Sequence, residues 1–349
     1  MAAAGHARSR PAEAVTNMTE ASGKNADGTA VLADRASYLV GVAARAPSLH
    51  NTQPWRFKVG EHVVELYADA ARQLREDPAG REMVISCGAA LFGLRLAVRS
   101  LGYLPEVDVF PDPAEPGLLA RVRVGRAEPM TPEEHRMLLA VPHRHTHRGP
   151  FEPGPLPAGL LACLQRDAAA EGATLMTVDA WPARQKLTSI LDRWSRGLPL
   201  DPVSRAEIRR WTHGADGQDR DGVPAHAFPA ATRPEPGWLP QRDFDLGRGL
   251  GLLPSGGPPG PVTAILVTRG DEPEDWLRGG QALQRLLLSA ASRWVFANLQ
   301  TQPLLSPSVR ALIQIRLALP GPPLMLLQLG VARTTHPTGR RPAGDVTQP

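Results

Sequence analysis

A chain of 349 residues, 42% of them hydrophobic, is long enough for one large domain or two modest ones and can bury a substantial core. Proline (36) and glycine (33) make up about a fifth of it, which is high but below the low-complexity range, so folded elements joined by long, stiff connections are expected. A net charge of +4 with no run of five like charges argues against a nucleic-acid partner; apart from Lys24, Lys58 and Lys186 the 39 basic residues are arginines, whose planar fork of donors suits phosphate or carboxylate.

Residues 1–33 carry small and polar residues without an apolar run, and are expected to be a disordered tail with no signal peptide. Order begins near Asp34, where "RASYLVGVAARA" sets Leu39, Val42, Ala43 and Ala46 on one face of a helix that stops at Pro47. The loop "APSLHNTQPWRF" (Ala46–Phe57) then concentrates prolines and polar side chains where a core element would show a period. Strands follow at "RFKV" and "VVELYAD", separated by Gly60-Glu61. "MVISCGAALFGLRLAVRSLG" reads as an apolar helix closed by Gly102, and "PEVDVFPD" and "LLARVRVG" as two short strands.

A boundary is expected at Ala127–Met130. Beyond it "TPEE" makes a capping box, with Thr131 as N-cap, Pro132 at N1 and Glu134 at N3. That helix runs to Pro142 and "HRHTHRGPF" follows. Further on, the pattern predicts a helix around Leu156–Ala169, a strand "ATLMTV", a helix "ARQKLTSILDRWS" and a capped helix starting at Ser204 with Glu207 at N3. Residues 213–260 are Pro/Gly-rich with few periodic apolars, a length that suggests a functional segment such as a lid. The pattern resumes with strand "PVTAILVT", helix "WLRGGQALQRLLLSAASRWVF", helix "SPSVRALIQIRLAL" and strand "PLMLLQLGVA". Both halves thus share a grammar of opening helix, strands, long apolar helix and closing strand, compatible with a duplicated α+β unit.

Several motifs point to chemistry, or fail to. Cys87 and Cys163 are isolated, forming neither a CxxC pair nor a disulfide framework, which fits a reducing cytoplasm. No stretch of eighteen apolar residues predicts a membrane span. In "HRHTHR" the alternation would put His143, His145 and His147 on one side of a strand and Arg144, Thr146 and Arg148 on the other. No cysteine or carboxylate lies nearby in sequence to complete a zinc shell, so no metal site is assigned. Arg-x-Thr-x-Arg offers two guanidinium forks and a hydroxyl to an anion, and solvated arginines are the competing reading. "LGRGLGLLPSGGPPG" has Pro254 where a dinucleotide loop needs its third glycine, and no strand precedes it. With no Walker, GxSxG or HExxH motif, the chemistry is expected from a cofactor rather than a side-chain nucleophile, and no catalytic side chain is assigned.

"AARAPSLHNTQPWRF" resembles the flavin-contacting loop of the FMN-dependent nitroreductase family, A-P-S-x-x-N-x-Q-P-W, with Pro, Ser, Asn, Gln, Pro and Trp at the expected spacing. "SCGAALFGLRLAVRSLGY", "RDGVP" (Arg220–Pro224) and "GGQALQRLLLSAA" resemble the Acg-type branch of that family. The resemblance runs from about Asp34 to the end. It implies an α+β nitroreductase-like fold of two tandem repeats, each a helix-covered, mostly antiparallel sheet, together forming an internal pseudo-dimer: a first half 34–128 and a second half 129–349, with 213–260 as a lid insertion. It also implies one composite FMN site. Ser48, Asn51 and Gln53 would meet the ring and ribityl, with Trp55 anchoring their loop. Arg144, Thr146, Arg340 and Arg341 would hold the phosphate, and Arg148 would lie near the pyrimidine edge. Leu305, where a glutamate often follows "QPL", and Gln328, where an arginine is usual, depart from the branch. The implied activity is NAD(P)H-driven reduction of a nitroaromatic or quinone-like small molecule in the cytoplasm, with FMN storage or a flavin-dependent dehydrogenase of a biosynthetic intermediate as alternatives. A pseudo-dimer needs no second chain for its site, so a monomer suffices and a homodimer is allowed.

Overall fold

The apolar runs fold into two sheets, each backed by one of two long helices that pack against each other. The structure, a computed structural model, describes residues 31–149, 151–197, 201–213, 220–227, 261–332 and 337–348. Residues 1–30 of the expected tail, most of the 213–260 insertion and the loop Leu246–Gly260 lie outside the described residues; residues 31–33, expected in the disordered tail, instead belong to a short helix, Val31–Asp34, whose Leu32 is buried in the first core.

In chain order the first part contains α1 (Ala36–Ala43), β1 (Trp55–Val59), β2 (Val63–Ala68), α2 (Arg81–Ser100), β3 (Tyr103–Val109), β4 (Leu118–Ala127) and α3 (Pro132–Ala140). The second contains α4 (Leu160–Ala170), β5 (Thr174–Thr177), α5 (Trp181–Gly197), α6 (Pro202–Trp211), β6 (Thr212–His213) and β7 (Val223–Pro224). It continues with β8 (Val262–Val267), α7 (Pro273–Ala291), β9 (Val295–Gln300), α8 (Pro307–Leu317), β10 (Pro323–Val331) and β11 (Thr347–Gln348). The first sheet has the order β11-β1-β2-β4-β3 and the second β5-β8-β10-β9. All pairings in them are antiparallel except that of β11, which returns from the far end of the chain to lie parallel to β1 with Phe57 opposite Thr347. This is the expected α+β class.

Period decides which faces are buried. On β1, Trp55 and Phe57 point inward and Arg56 and Lys58 outward, and the inward pair joins α1 and α2 in one core. Leu277, Leu288 and Ala291 of α7 belong to that core, while Ile85 of α2 belongs to the core of the second sheet, so the two halves share their apolar interior. The helices approach this closely because both carry glycine at the crossing. A Cβ on Gly88 would collide with the Leu277 carbonyl oxygen, and one on Gly280 with that of Ile85. Of the described helices, α2 is long and apolar enough to cross a membrane, yet 83% of its apolar window is buried inside the protein. The other face of the second sheet is covered by α5 and α8 through Leu187, Leu191 and Ile313.

Three expected elements differ in the structure. The helix read through Phe296 stops at Ala291, because Trp294 takes a left-handed φ of 57° and turns the chain into β9. The helix expected to start at Ser204 starts at Pro202, capped by Asp201, whose carboxylate accepts from the Val203 and Ser204 amides. The helix read from Leu156 begins at Leu160, after Gly159 at φ 73°. The capping box of Thr131 and Glu134 forms as expected.

Candidate cofactor site

Among the described residues, the loop between α1 and β1 gathers three of the six non-glycine residues at positive φ. His50, Asn51 and Gln53 lie in the left-handed region at φ of 52°, 57° and 51°, conformations that cost roughly 1–3 kcal/mol each unless the surroundings impose them. Local bonds begin that task. The Ser48 hydroxyl accepts from the Gln53 amide at 2.9 Å, and Thr52 donates to the Leu49 carbonyl. His50 is buried, with Nε2 2.8 Å from the Glu76 carboxylate, which also receives Gln302 Nε2 from the "QPL" turn. Trp55 is fully buried in the core of the first sheet and anchors the loop's end, as expected. Leu305 packs on Leu49, Leu74 and Trp211 beneath the loop.

Distant segments complete the support. Asn51 donates from Nδ2 to the carbonyls of Gly222 (2.9 Å) and Gly339 (3.1 Å) and accepts at Oδ1 from Arg340 Nη1 (2.9 Å). Gln53 donates to the Arg220 carbonyl at 2.8 Å and accepts from the Arg341 amide at 2.8 Å. Arg72 joins the Thr52 carbonyl to the Asp221 carboxylate, each at 2.8 Å. Gly222 has a φ of 67° and sits against the His213 ring, where a Cβ would collide. The "RDGVP" and "TGRRP" segments thus both dock on the loop.

Beside it lies a cluster of positive charge. Arg144 is buried, and its Nη2 donates to the Arg45 carbonyl at 3.1 Å. Arg340 Nη2 donates to the next carbonyl, Ala46, at 3.2 Å. Three buried nitrogens of these two side chains, Arg144 Nε, Arg144 Nη1 and Arg340 Nε, have no partner among the described residues. Burial and the nearby Arg45 push the Arg144 pKa down to about 10. Arg340 is lowered too, by desolvation and then by the charges of Arg144, Arg45 and Arg148. Each guanidinium is therefore fixed by one edge and presents the other, among like charges that a phosphate-sized anion would neutralise.

The histidine-arginine motif is not a strand: it makes a single bridge, from Thr146 to Ala297, with the His147 amide donating to the Ala297 carbonyl. The sides are nevertheless separate. His145 and His147 pack on Phe296 and Phe151, His143 stacks on Trp294, and Arg144 and Arg148 belong to the charge cluster. Burial, with help from the neighbouring arginines, lowers the His145 pKa to about 4, so the ring is neutral; its Nδ1 donates to the His143 carbonyl.

The structure therefore brings together Ser48, Asn51, Gln53, Arg144, Arg148 and Arg340, with Thr146 on the backbone between the two motif arginines. The Arg341 side chain stays on the loop but outside the arginine cluster, donating to the Gln53 carbonyl at 3.5 Å and to the Asp345 carbonyl and lying near Asp69. Arg45 joins the cluster without having been singled out in sequence. It is exposed on the residue just before the "APS" motif, and only the fold shows that Arg144 and Arg340 converge on it. His50, Arg72 and Glu76 likewise carry no signal short of the fold.

No family model matches the chain. A protein of Mycobacterium tuberculosis strain H37Rv with the provisional name NAD(P)H nitroreductase is 33% identical over 320 residues, covering 88% of this chain and 89% of its own. The chain belongs to the nitroreductase family. A second member from the same organism, provisionally named NAD(P)H nitroreductase acg, is 30% identical over 325 residues, covering 91% of this chain and 96% of its own. Among solved structures, a nitroreductase with bound FMN from Desulfitobacterium hafniense aligns at a TM-score of 0.39 and 13% identity, over 61% of this chain and 98% of its own. A nitroreductase-named structure from Anabaena variabilis aligns at 0.47 and 11%, over 89% and 90%.

Proposed function

We propose that this nitroreductase-family chain is an FMN-dependent oxidoreductase that uses NAD(P)H to reduce a small acceptor of nitroaromatic or quinone type. The observation that carries the reading is the arginine cluster. Three buried nitrogens without partners among the described residues, on side chains already fixed by their other edges, form a preorganised anion site beside a strained loop of the flavin-loop pattern. These residues fit a flavin phosphate. Arg45, Arg144 and Arg340 would hold it with the Thr146 hydroxyl, and Arg148 would serve the pyrimidine edge, where a positive charge favours the reduced, anionic ring. When bound, FMN supplies the two-electron centre through which hydride passes from nicotinamide to acceptor. The chain's own part is to bind, orient and shelter that centre. Hydrogen bonds between residues 45–53, 144–148 and 338–341 of one chain support a site completed without a second subunit.

A second reading, FMN held with little turnover, is favoured by the docking of 220–224 on the loop, which would restrict access for nicotinamide. Anaerobic absorbance spectra before and after NADPH separate the two. Bleaching of a flavin spectrum supports the oxidoreductase, an unchanged flavin spectrum supports retention, and failure to take up FMN refutes both.

A further inference from the structure

Asn51 and Gln53 stand in the loop where contact with the flavin ring is the family's expectation, yet their amide groups are already engaged by the polypeptide. Both N–H bonds of Asn51 go to carbonyls, of Gly222 and Gly339, and its oxygen receives Arg340. Gln53 spends its amide nitrogen on the Arg220 and Asn51 carbonyls and its oxygen on the Arg341 amide. Their backbone is held at left-handed φ, and both residues are buried.

Resting on the FMN reading above, we propose that Asn51 and Gln53 are positioning residues: Asn51 holds Arg340 in the phosphate cluster, and the two together clamp segment 220–224 over the loop. Arg340 shows how the first part works. Its Nη1 is fixed by Asn51, the Thr338 hydroxyl and the Gly339 carbonyl, and its Nη2 by the Ala46 carbonyl, which leaves the buried Nε for the anion. Without Asn51 the guanidinium keeps only the Ala46 carbonyl as its hydrogen-bond tie to the first half of the chain and loses the shorter of its two contacts there. The second part rests on the paired bonds of Asn51 with Gly222, side chain to carbonyl and carbonyl to amide, together with Gln53 to Arg220 and Arg72 to Asp221. Because one side chain serves both partners, anion binding and the fixing of 220–224 are linked, and linkage is reciprocal.

The test is a double-mutant cycle for FMN binding, read by flavin fluorescence on the full chain, alongside amide hydrogen exchange of the apoprotein. If Asn51 acts through Arg340, Asn51→Ala weakens FMN binding by about tenfold in the wild-type background. In the Arg340→Ala background it costs less than about twofold. Equal losses in both backgrounds would show that Asn51 touches the flavin directly and would overturn the first part. In hydrogen exchange, the peptide spanning 220–224 should exchange at least about tenfold faster in Asn51→Ala, with α2 unchanged as a control for folding. Should Asn51→Ala not fold, Gln53→Glu keeps the acceptor for the Arg341 amide and removes the donor to Arg220, so it reads the same segment. Unchanged protection of 220–224 would overturn the second part. Failure of the wild type to bind FMN would remove the proposed function, while the exchange measurement still tests the clamp.

Discussion

Arg144→Met should change binding and stability in opposite directions. Arg144 is 5% exposed, with two nitrogens lacking partners among the described residues and its pKa lowered from the ordinary arginine range to about 10. That depression corresponds to about 3 kcal/mol against the charged form in the folded apoprotein. A base with a lowered folded pKa weakens the fold wherever it is protonated, which for arginine means the whole working pH range. Methionine removes the charge and keeps most of the volume, at the loss of the 3.1 Å bond to the Arg45 carbonyl, worth about 1 kcal/mol. The apoprotein should therefore gain about 2 kcal/mol, a rise in Tm of several degrees, at about 2–4 °C per kcal/mol. FMN, by contrast, would lose two charge-assisted hydrogen bonds of at least about 1.5 kcal/mol each, weakening its binding by about 100-fold or more. Calorimetry of the apoprotein and a fluorescence titration with FMN measure the two effects. An apo Tm that falls, or an FMN affinity within about threefold of wild type, would refute the assignment of Arg144 to an uncompensated anion site.

Trp55→Ala empties the core beneath the loop and should cost about 3–5 kcal/mol in urea unfolding, with loss of flavin uptake as a consequence. Gly88→Ala should lower stability by about 1–3 kcal/mol, since the methyl meets the Leu277 backbone rather than a side chain that could move aside; an unchanged urea midpoint would contradict the α2–α7 crossing. His145 titrates near 6.5 when unfolded and near 4 when folded, so the unfolded chain binds the extra proton between those values. Stability should accordingly fall by up to about 3 kcal/mol as pH drops from about 6.5 to 4, and His145→Gln should flatten that slope in pH-dependent denaturation.

Much of this architecture was legible wherever one physical signal ruled alone. Thr131 and Glu134 announce a capping box without competition, and the alternation in Trp55–Val59 leaves one way to bury β1. Boundaries failed where two signals competed. The run through Ala291–Phe296 stays apolar across a helix end and a strand start, so period could not show that Trp294 reverses the backbone. Asp201-Pro202 and Ser204 each make a credible helix start, and the carboxylate prevails by accepting from two amides. At the site, Ser48, Asn51 and Gln53 were visible as a motif, but their partners come from up to 289 positions away, beyond any local pattern. The same limit separates Arg340 from Arg341. Adjacent in sequence, they diverge because one reaches the Ala46 carbonyl beside Arg144 and the other the Gln53 carbonyl, Asp69 and Asp345.

The bond between Asn51 and Arg340 joins positions 289 apart in a chain of 349 residues. Like the β1–β11 pairing, which sets Phe57 opposite Thr347, a contact of that span carries a larger loop-closure cost than the hairpin pairings of the two sheets. A nascent or misfolded chain can carry a complete "APSLHNTQPW" and still present no anion site, because Arg340 has not arrived. Retained flavin would then act as a stamp of completed folding, and yellow colour in a preparation would count native molecules rather than total protein.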